Sequence, residues 1–249
     1  MVKLHCLDVD KFNCDIEWTN VCTCEDISED SLSLYHDPKH FGGGQYFIDH
    51  FFNESDILEK LKVDNSIMEM CSGPGYMGYY LATKLNLNKA IFVDINDEVR
   101  EGHTKSKDFF DFTTEFHLSE TFDQYEGDKV DLIVLNPPHV ITEEQYWGVV
   151  EYIPDWFPDE TQGKLLLLDE NFKFHQNFCK DAHNYLNENG KIVFTYFYEG
   201  TISSEDIKKE LGEDYSYEKI YNPGLNSKGE LDDEKDPHKN AYILIATRK

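Results

Sequence analysis

Residues 67–78 read Ile-Met-Glu-Met-Cys-Ser-Gly-Pro-Gly-Tyr-Met-Gly. A short apolar run gives way to Gly73, Gly75 and Gly78, after which residues 76–85 keep apolar side chains at helical spacing. The pattern is that of a strand, a tight turn and a helix. Glycine at these spacings lets backbone approach a ligand without Cβ interference, as in the G-x-G-x-x-G loops that hold nucleotide-like groups. The pattern alone does not say which ligand, because many unrelated turns satisfy it.

The rest of the chain repeats the alternation. A helical stretch at 45–62, divisible near residues 53–56, precedes the 67–70 strand. Apolar runs at 89–95, 115–118, 129–135, 191–197, 215–221 and 241–247 read as further strands. Helices are expected at 76–85, from Asn96 or Asp97 to 107, from Thr142 onward, along 166–186 up to an Asn189-Gly190 stop, and at 203–211. Strands that alternate with helices build a parallel sheet. The expected fold is therefore α/β and Rossmann-like, with a seven-stranded, mostly parallel sheet and helices on both faces. Ahead of it, 2–7 and 12–18 read as a strand hairpin, so residues 1–40 form a short strand-rich N-terminal appendage. The polar stretch 222–239 reads as an exposed loop.

The formal net charge is −26 over 249 residues, and Arg100 and Arg248 are the only arginines. A negative field of that size opposes phosphate backbones, so nucleic acid is not an expected partner. No apolar run reaches the roughly 18 residues needed to span a bilayer, and the start lacks the apolar core of a secretory signal. A cytoplasmic protein without a membrane partner is expected, and its six cysteines are then reduced. Cys6, Cys14, Cys22 and Cys24 lie near His5, His36 and His40, but without the C-x2-C to C-x4-C spacing of zinc sites. They read as small hydrophobes, with no metal.

Three motifs fall at successive strand ends: Glu69-x-Cys71-x-Gly73-x-Gly75, Asp94, and Asn136-Pro137-Pro138-His139. Together they resemble the class I S-adenosylmethionine-dependent methyltransferases over about residues 41–249. More narrowly, they resemble the Asn-Pro-Pro-aromatic branch that methylates nitrogen, which includes the release-factor glutamine methyltransferases. The resemblance implies S-adenosyl-L-methionine as cofactor, with residues 41–249 as the methyltransferase domain. It implies that Gly73 and Gly75 admit the cofactor, that Glu69 orients it through charge, and that Asp94 holds the ribose hydroxyls. By position, Glu120 is the acceptor for the adenine amine. Cys71 stands where the family often has its first glycine, which widens the turn.

The same resemblance makes Asn136, Pro137 and His139 catalytic and puts Asn136 and Cys71 among the cofactor contacts. The Asn136 side-chain oxygen and the Pro137 carbonyl accept hydrogen bonds from the substrate nitrogen, and the prolines fix the backbone that presents them. Pro138 contacts substrate. His139 replaces the family's Tyr or Phe, packing on a planar group or accepting a proton. Gln45 and Tyr46, in Phe41-Gly42-Gly43-Gly44-Gln45-Tyr46, lie where family members often close over the methionine end of the cofactor, and the resemblance makes them substrate contacts. His175 reads as a packing or surface residue. The acceptor is a protein or peptide, or a small molecule; nitrogen or oxygen and the oligomeric state stay open. A second reading is an NAD(P)-dependent oxidoreductase, since Asp94 lies about 20 residues past the glycines and Tyr80 to Lys84 has a Tyr-x3-Lys spacing. A third is a cofactor-binding protein without catalysis.

Overall fold

The computed structural model describes residues 17–19, 34–36, 44–152, 160–197, 202–221 and 241–249. The expected strand at 2–7, most of that at 12–18, the loop at 222–239 and Cys6, Cys14, Cys22 and Cys24 lie outside the described residues. Seven strands form one sheet, in the order Thr113–Leu118 (β5), Lys89–Asp94 (β4), Ser66–Met70 (β3), Val130–Leu135 (β6), Leu186–Tyr196 (β7), Tyr242–Arg248 (β9) and Tyr215–Tyr221 (β8), and two more form a separate pair. The chain divides into two compact units, Met1–Glu120 and Thr121–Lys249.

In the first unit, β1 (Glu17–Thr19) pairs antiparallel with β2 (Leu34–His36). The sequence reading missed β2, because three residues beside an acidic connector carry no alternation to detect. The helical stretch beginning at residue 44 is indeed divided. It forms α1 (Gly44–Phe47), a π turn over Ile48–Phe52 that buries Ile48, Phe51 and Phe52, and α2 (Ser55–Leu61). Strands β3 (Ser66–Met70), β4 (Lys89–Asp94) and β5 (Thr113–Leu118) are parallel neighbours, and every residue of β3 is buried. Helix α3 (Tyr76–Lys84) buries Tyr76 through Ala82. Asn96 caps the turn that leads into α4 (Arg100–Ser106), its side chain accepting from the Glu98 N–H at 3.0 Å.

In the second unit, β6 (Val130–Leu135) runs parallel to β7 (Leu186–Tyr196), and β9 (Tyr242–Arg248) lies antiparallel between β7 and β8 (Tyr215–Tyr221). Helix α5 (Glu143–Tyr152) starts where Gln145 Oε1 accepts from the Thr142 N–H at 3.1 Å. Helix α8 (Ser204–Leu211) opens with a Ser203–Asp206 capping box.

The single helix expected over 166–186 is two: α6 (Glu160–Leu167) and α7 (Lys173–Tyr185), separated by a turn in which Asn171 and Phe172 are left-handed at φ 59° and 63°. The break is held open by Asp169, whose carboxylate accepts the Phe174 and His175 N–H groups at 2.7 and 3.1 Å and so starts α7 afresh. The strand expected at 191 begins at Leu186 instead. Asn189, left-handed at φ 62°, sits in an irregular stretch between the Val130–Leu186 and Leu132–Lys191 pairs. Among the described residues no helix is long and apolar enough to cross a membrane.

Candidate active-site motifs

The glycine turn follows β3 directly. Cys71 and Gly73 are left-handed at φ 55° and 47°, Gly75 at 84°, and α3 begins at the next residue. The Ser72 N–H reaches the Val93 carbonyl at 3.0 Å, and the Gly75 N–H folds back to the Ser72 carbonyl at 2.7 Å. Asp94, at the end of β4, binds the turn from the side: one oxygen accepts the Gly73 N–H at 2.7 Å, the other the Asn96 N–H at 2.8 Å. An ionised carboxylate is an acceptor only, the kind of group a pair of hydroxyls can meet.

The two glycines in this turn do different work. A Cβ on Gly73 meets nothing within 4 Å, so this backbone is open to a ligand. A Cβ on Gly75 falls 2.7 Å from His103 Cε1, 2.8 Å from Phe92 and 2.9 Å from Tyr79, so packing forbids it. The Asp94 carboxylate, an acceptor, and the open backbone at Gly73 suit a cofactor with ribose hydroxyls. Glu120 is exposed just past β5, and the Ser119 N–H ties that strand end to the Asp94 carbonyl at 2.9 Å. Gln45 and Tyr46 lie in α1, which packs on the first turn of α3 because Gly44 has only hydrogen there: a Cβ would sit 3.1 Å from Met77 Cγ.

Glu69 acts through hydrogen bonding. Its carboxyl is buried in β3 and accepts the Gly78 N–H, in the first turn of α3, at 2.7 Å. Burial pushes its pKa up to about 8 against the lowering effect of those amides, so near neutral pH it is largely protonated and orients by contact rather than by charge. Behind the loop sits His103, which sequence reasoning did not single out. Its Nε2 lies 2.9 Å from the Gly73 carbonyl and its Nδ1 3.3 Å from the Tyr79 hydroxyl. Burial pulls it down to about 4, which leaves a neutral ring that donates to Gly73 through Nε2 and accepts through Nδ1. It stacks between Phe92 and Phe116, at 4.4 and 5.0 Å. No spacing in the sequence announces it.

In the second unit, Asn136 and Pro137 follow β6. The Asn136 Oδ1 is 3.1 Å from the hydroxyl of Thr195 in β7, which is also 3.1 Å from the Leu135 carbonyl. One hydroxyl proton serves both acceptors, and the carboxamide oxygen keeps a second lone pair. Thr195 is fully buried; a lone hydroxyl in the apolar run Ile192-Val193-Phe194 was the available signal, and it was missed. Pro137 is buried and Pro138 half-buried. The His139 N–H donates to the Leu167 carbonyl at 2.9 Å, and its ring meets Tyr196 and Phe197 edge-on at 5.5 and 5.6 Å. Burial, with a smaller push from His175, lowers its pKa to about 3. Such a ring is a packing surface and a weak proton acceptor. His175, read as packing or surface, is fully buried and hydrogen-bonded through both ring nitrogens.

The Tyr80 and Lys84 pair does not serve an oxidoreductase. The Tyr80 hydroxyl donates to Asn53 Oδ1 at 2.5 Å, burial raises its pKa to about 12, and Lys84 Nζ lies over the ring at 5.7 Å. Cys71 is half-buried, and burial raises the pKa of the Cys179 thiol.

Residues 48–153 match the methyltransferase small domain family. The chain is 25% identical over 130 residues to the ribosomal protein uL3 glutamine methyltransferase of Francisella tularensis, covering 51% of this chain and 40% of that protein. It is 26% identical over 148 residues to the release factor glutamine methyltransferase of Fusobacterium nucleatum, covering 59% of this chain and 40% of that one. The matches therefore span less than half the length of these relatives. In fold, the chain resembles the T. thermophilus 16S rRNA N2 G1207 methyltransferase solved with AdoMet and guanosine: TM-score 0.53, 13% identity, covering 88% of this chain and 48% of that one. Residues 48–153 thus match the methyltransferase small domain family, and with glycine-loop and Asn-Pro-Pro motifs at strand ends of a seven-stranded sheet the chain resembles the class I methyltransferases, the release-factor glutamine methyltransferases among them.

Proposed function

We propose that the chain transfers a methyl group from S-adenosyl-L-methionine to a nitrogen of a protein or peptide, with a side-chain amide as the first substrate to test. The observation that carries this reading is Asn136-Pro137-Pro138-His139 at the end of β6, with the Asn136 carboxamide oxygen set by the Thr195 hydroxyl. The relatives' names, both glutamine methyltransferases, support the amide. The acidic balance of −26 speaks against nucleic acid and membrane surfaces, and the cytoplasm is the proposed location. Residues 1–40 are proposed as an appendage to a methyltransferase domain at 41–249.

Bound S-adenosylmethionine supplies a methyl group already activated on a sulfonium. The open backbone at Gly73 and the packed Gly75 form its cradle, with Glu69 and Cys71 shaping the turn, Asp94 accepting from ribose hydroxyls and Glu120 from the adenine amine. What remains for the chain is to aim a nitrogen lone pair at the methyl carbon, in line and at roughly 3–3.5 Å. Asn136 Oδ1 and the Pro137 carbonyl accept the N–H bonds of the acceptor, which fixes the amide plane and so the face on which the nitrogen lone pair meets the methyl group. Pro138 and the His139 ring contact the planar amide, and the family resemblance adds Gln45 and Tyr46 as substrate contacts. The C–S electrons stay with sulfur, the new N–C bond uses the nitrogen pair, and one N–H proton passes to solvent. Nothing here needs a strong base, which fits a His139 lowered to about 3.

The test is transfer of tritiated methyl from S-adenosylmethionine into a host extract resolved into protein, nucleic-acid and small-molecule fractions. Label is expected in protein, and Asn136→Ala is expected to remove at least about a hundredfold of it while S-adenosylhomocysteine affinity stays within about twofold. Wild-type turnover in Asn136→Ala would end the assignment.

A further inference from the structure

Behind the Asn136–His139 turn the second unit buries three polar side chains in a row. Asp169 is 3% exposed, and Oδ2 accepts from His175 Nδ1 at 2.6 Å. His175 is fully buried, and its Nε2 lies 2.7 Å from the Tyr196 hydroxyl. The two oxygens of Asp169 already accept the Phe174 and His175 N–H groups, so its carboxyl faces the ring as an acceptor: Nδ1 carries the His175 proton, Nε2 is left as the acceptor, and Tyr196 donates into it. The row has one polarity, from Tyr196 through His175 to Asp169. Burial holds His175 below its ordinary value and keeps the ring neutral.

Each end of the row is tied to the motif. Tyr196 follows Thr195, whose hydroxyl meets Asn136, and its ring is one of the two that His139 meets edge-on, at 5.5 Å. At the other end, the Asp169 N–H donates to the Val140 carbonyl at 2.7 Å, and the Asn171 N–H to Ile141 at 3.2 Å. The residues after the motif are thereby laced to the turn that carries Asp169. Burying three polar groups is expensive unless every partner is in place, and apolar side chains of similar volume would fill the space without that demand. What the polar row adds is direction: it fixes one rotamer of Tyr196 and one path for 139–141.

We propose that Asp169, His175 and Tyr196 are positioning residues that hold the Asn136–His139 turn in the geometry methyl transfer requires. The proposal rests on the methyltransferase reading for its kinetic consequence, and on the hydrogen-bond polarity alone for its spectroscopic one. The Tyr196→Phe variant keeps the ring and removes the hydroxyl. Its methyl transfer at saturating protein extract is expected to fall about tenfold, while half-saturation shifts less than twofold and S-adenosylhomocysteine affinity is unchanged. His175→Gln, able to accept from Tyr196 and donate to Asp169, is expected to recover most of the rate that His175→Phe loses. A purely structural role would instead lower the melting temperature of both Tyr196→Phe and His175→Phe without separating rate from half-saturation.

Nitrogen-15 NMR of the wild-type protein provides the arm that needs no activity. His175 is expected as the Nδ1–H tautomer, and Asp169→Asn, whose amide can donate, is expected to reverse it to Nε2–H. An Nε2–H tautomer in the wild type, or full rate at saturation in Tyr196→Phe, overturns the proposal. Absence of methyl transfer by the wild type overturns the methyltransferase reading instead, and the tautomer result then still decides whether the row has the polarity described.

Discussion

The two motifs are held in place by opposite means. The glycine turn after β3 is shaped by backbone conformation: left-handed residues at 71, 73 and 75, amides tied to Asp94, and a carbonyl tied to His103. The turn after β6 is shaped by side chains: Thr195 on Asn136, Tyr196 against His139, and Asp169 behind both. Each unit places a neutral buried histidine behind its motif, but His103 is bonded to a carbonyl and a hydroxyl, His175 to a carboxylate and a hydroxyl. A loop that offers backbone to a ligand must leave its side-chain space empty, and it is fixed from behind through main-chain groups. A turn that offers a carboxamide and a ring is fixed through side-chain rotamers.

The comparison breaks first at Gly75. If backbone conformation and packing set the turn, Gly75→Ala adds left-handed strain at φ 84° and three contacts below 3.0 Å. Together these are expected to cost on the order of 4 kcal/mol. Gly73→Ala, at φ 47° with open space, is expected to lose about 1 kcal/mol of stability but at least tenfold in S-adenosylhomocysteine affinity. Chemical denaturation paired with ligand titration separates the two. Equal stability losses would show that the glycines are interchangeable and the distinction wrong.

The buried carboxyls sharpen it next. Glu69 and Asp169 both accept amides at a helix start, but Asp169 also has the His175 imidazole beside it, whereas the Glu69 carboxyl is met by backbone amides. Burial raises Glu69 from 4.5 to about 8. The folded protein thus binds more protons than the unfolded chain between those values. The stabilisation from the protonated acid is complete below pH 4.5 and is lost as pH rises through 8. By pH 7 the loss relative to acid is roughly 3 kcal/mol from this group. Glu69→Gln, which keeps an acceptor for Gly78 without a titrating proton, is expected to flatten that slope in urea denaturation at pH 5, 6, 7 and 8. A slope identical to wild type would place the titration elsewhere.

A smaller effect tests the second motif. Thr195→Val removes one hydroxyl at constant shape, leaving the Leu135 carbonyl and Asn136 Oδ1 short of a donor. The expected stability loss is about 1 kcal/mol by thermal melting, with a loss of roughly tenfold in methyl transfer as the carboxamide gains freedom. Unchanged transfer would mean that Asn136 is oriented by other groups.

What the sequence disclosed follows from the same contrast. Strands β3, β4, β6 and the 192–196 end of β7 are mostly apolar runs, and a glycine turn must be written in glycine, so the first motif and the frame of the sheet were legible. Side-chain support is written in ordinary residues at distant positions. His103 reaches Gly73 from thirty residues away, and Thr195 reaches Asn136 from fifty-nine. The apolar spacing across 166–186 reads as one helix because Leu165 to Leu168 and Phe174 to Phe178 fall in phase, which hid the left-handed pair at Asn171 and Phe172 and the Asp169 cap between them. His175, six residues past Asp169, then looked like one more residue of a helix face.

Cys71 bears the smallest expected effect and the most direct one. In this structure it is left-handed at φ 55°, a conformation usual for glycine that places Cβ against the following carbonyl. The turn has therefore kept its glycine-like geometry with a side chain present, rather than widening to accommodate it. Cys71→Gly removes the clash but increases the freedom of the unfolded chain, so the net gain is expected to be about 0.5–1 kcal/mol, below the full left-handed penalty. Denaturation midpoints under reducing conditions measure it, with S-adenosylhomocysteine affinity expected to hold or rise slightly. A loss of stability would mean that the thiol contributes a contact worth more than the strain, and the first turn would then depend on a side chain as the second does.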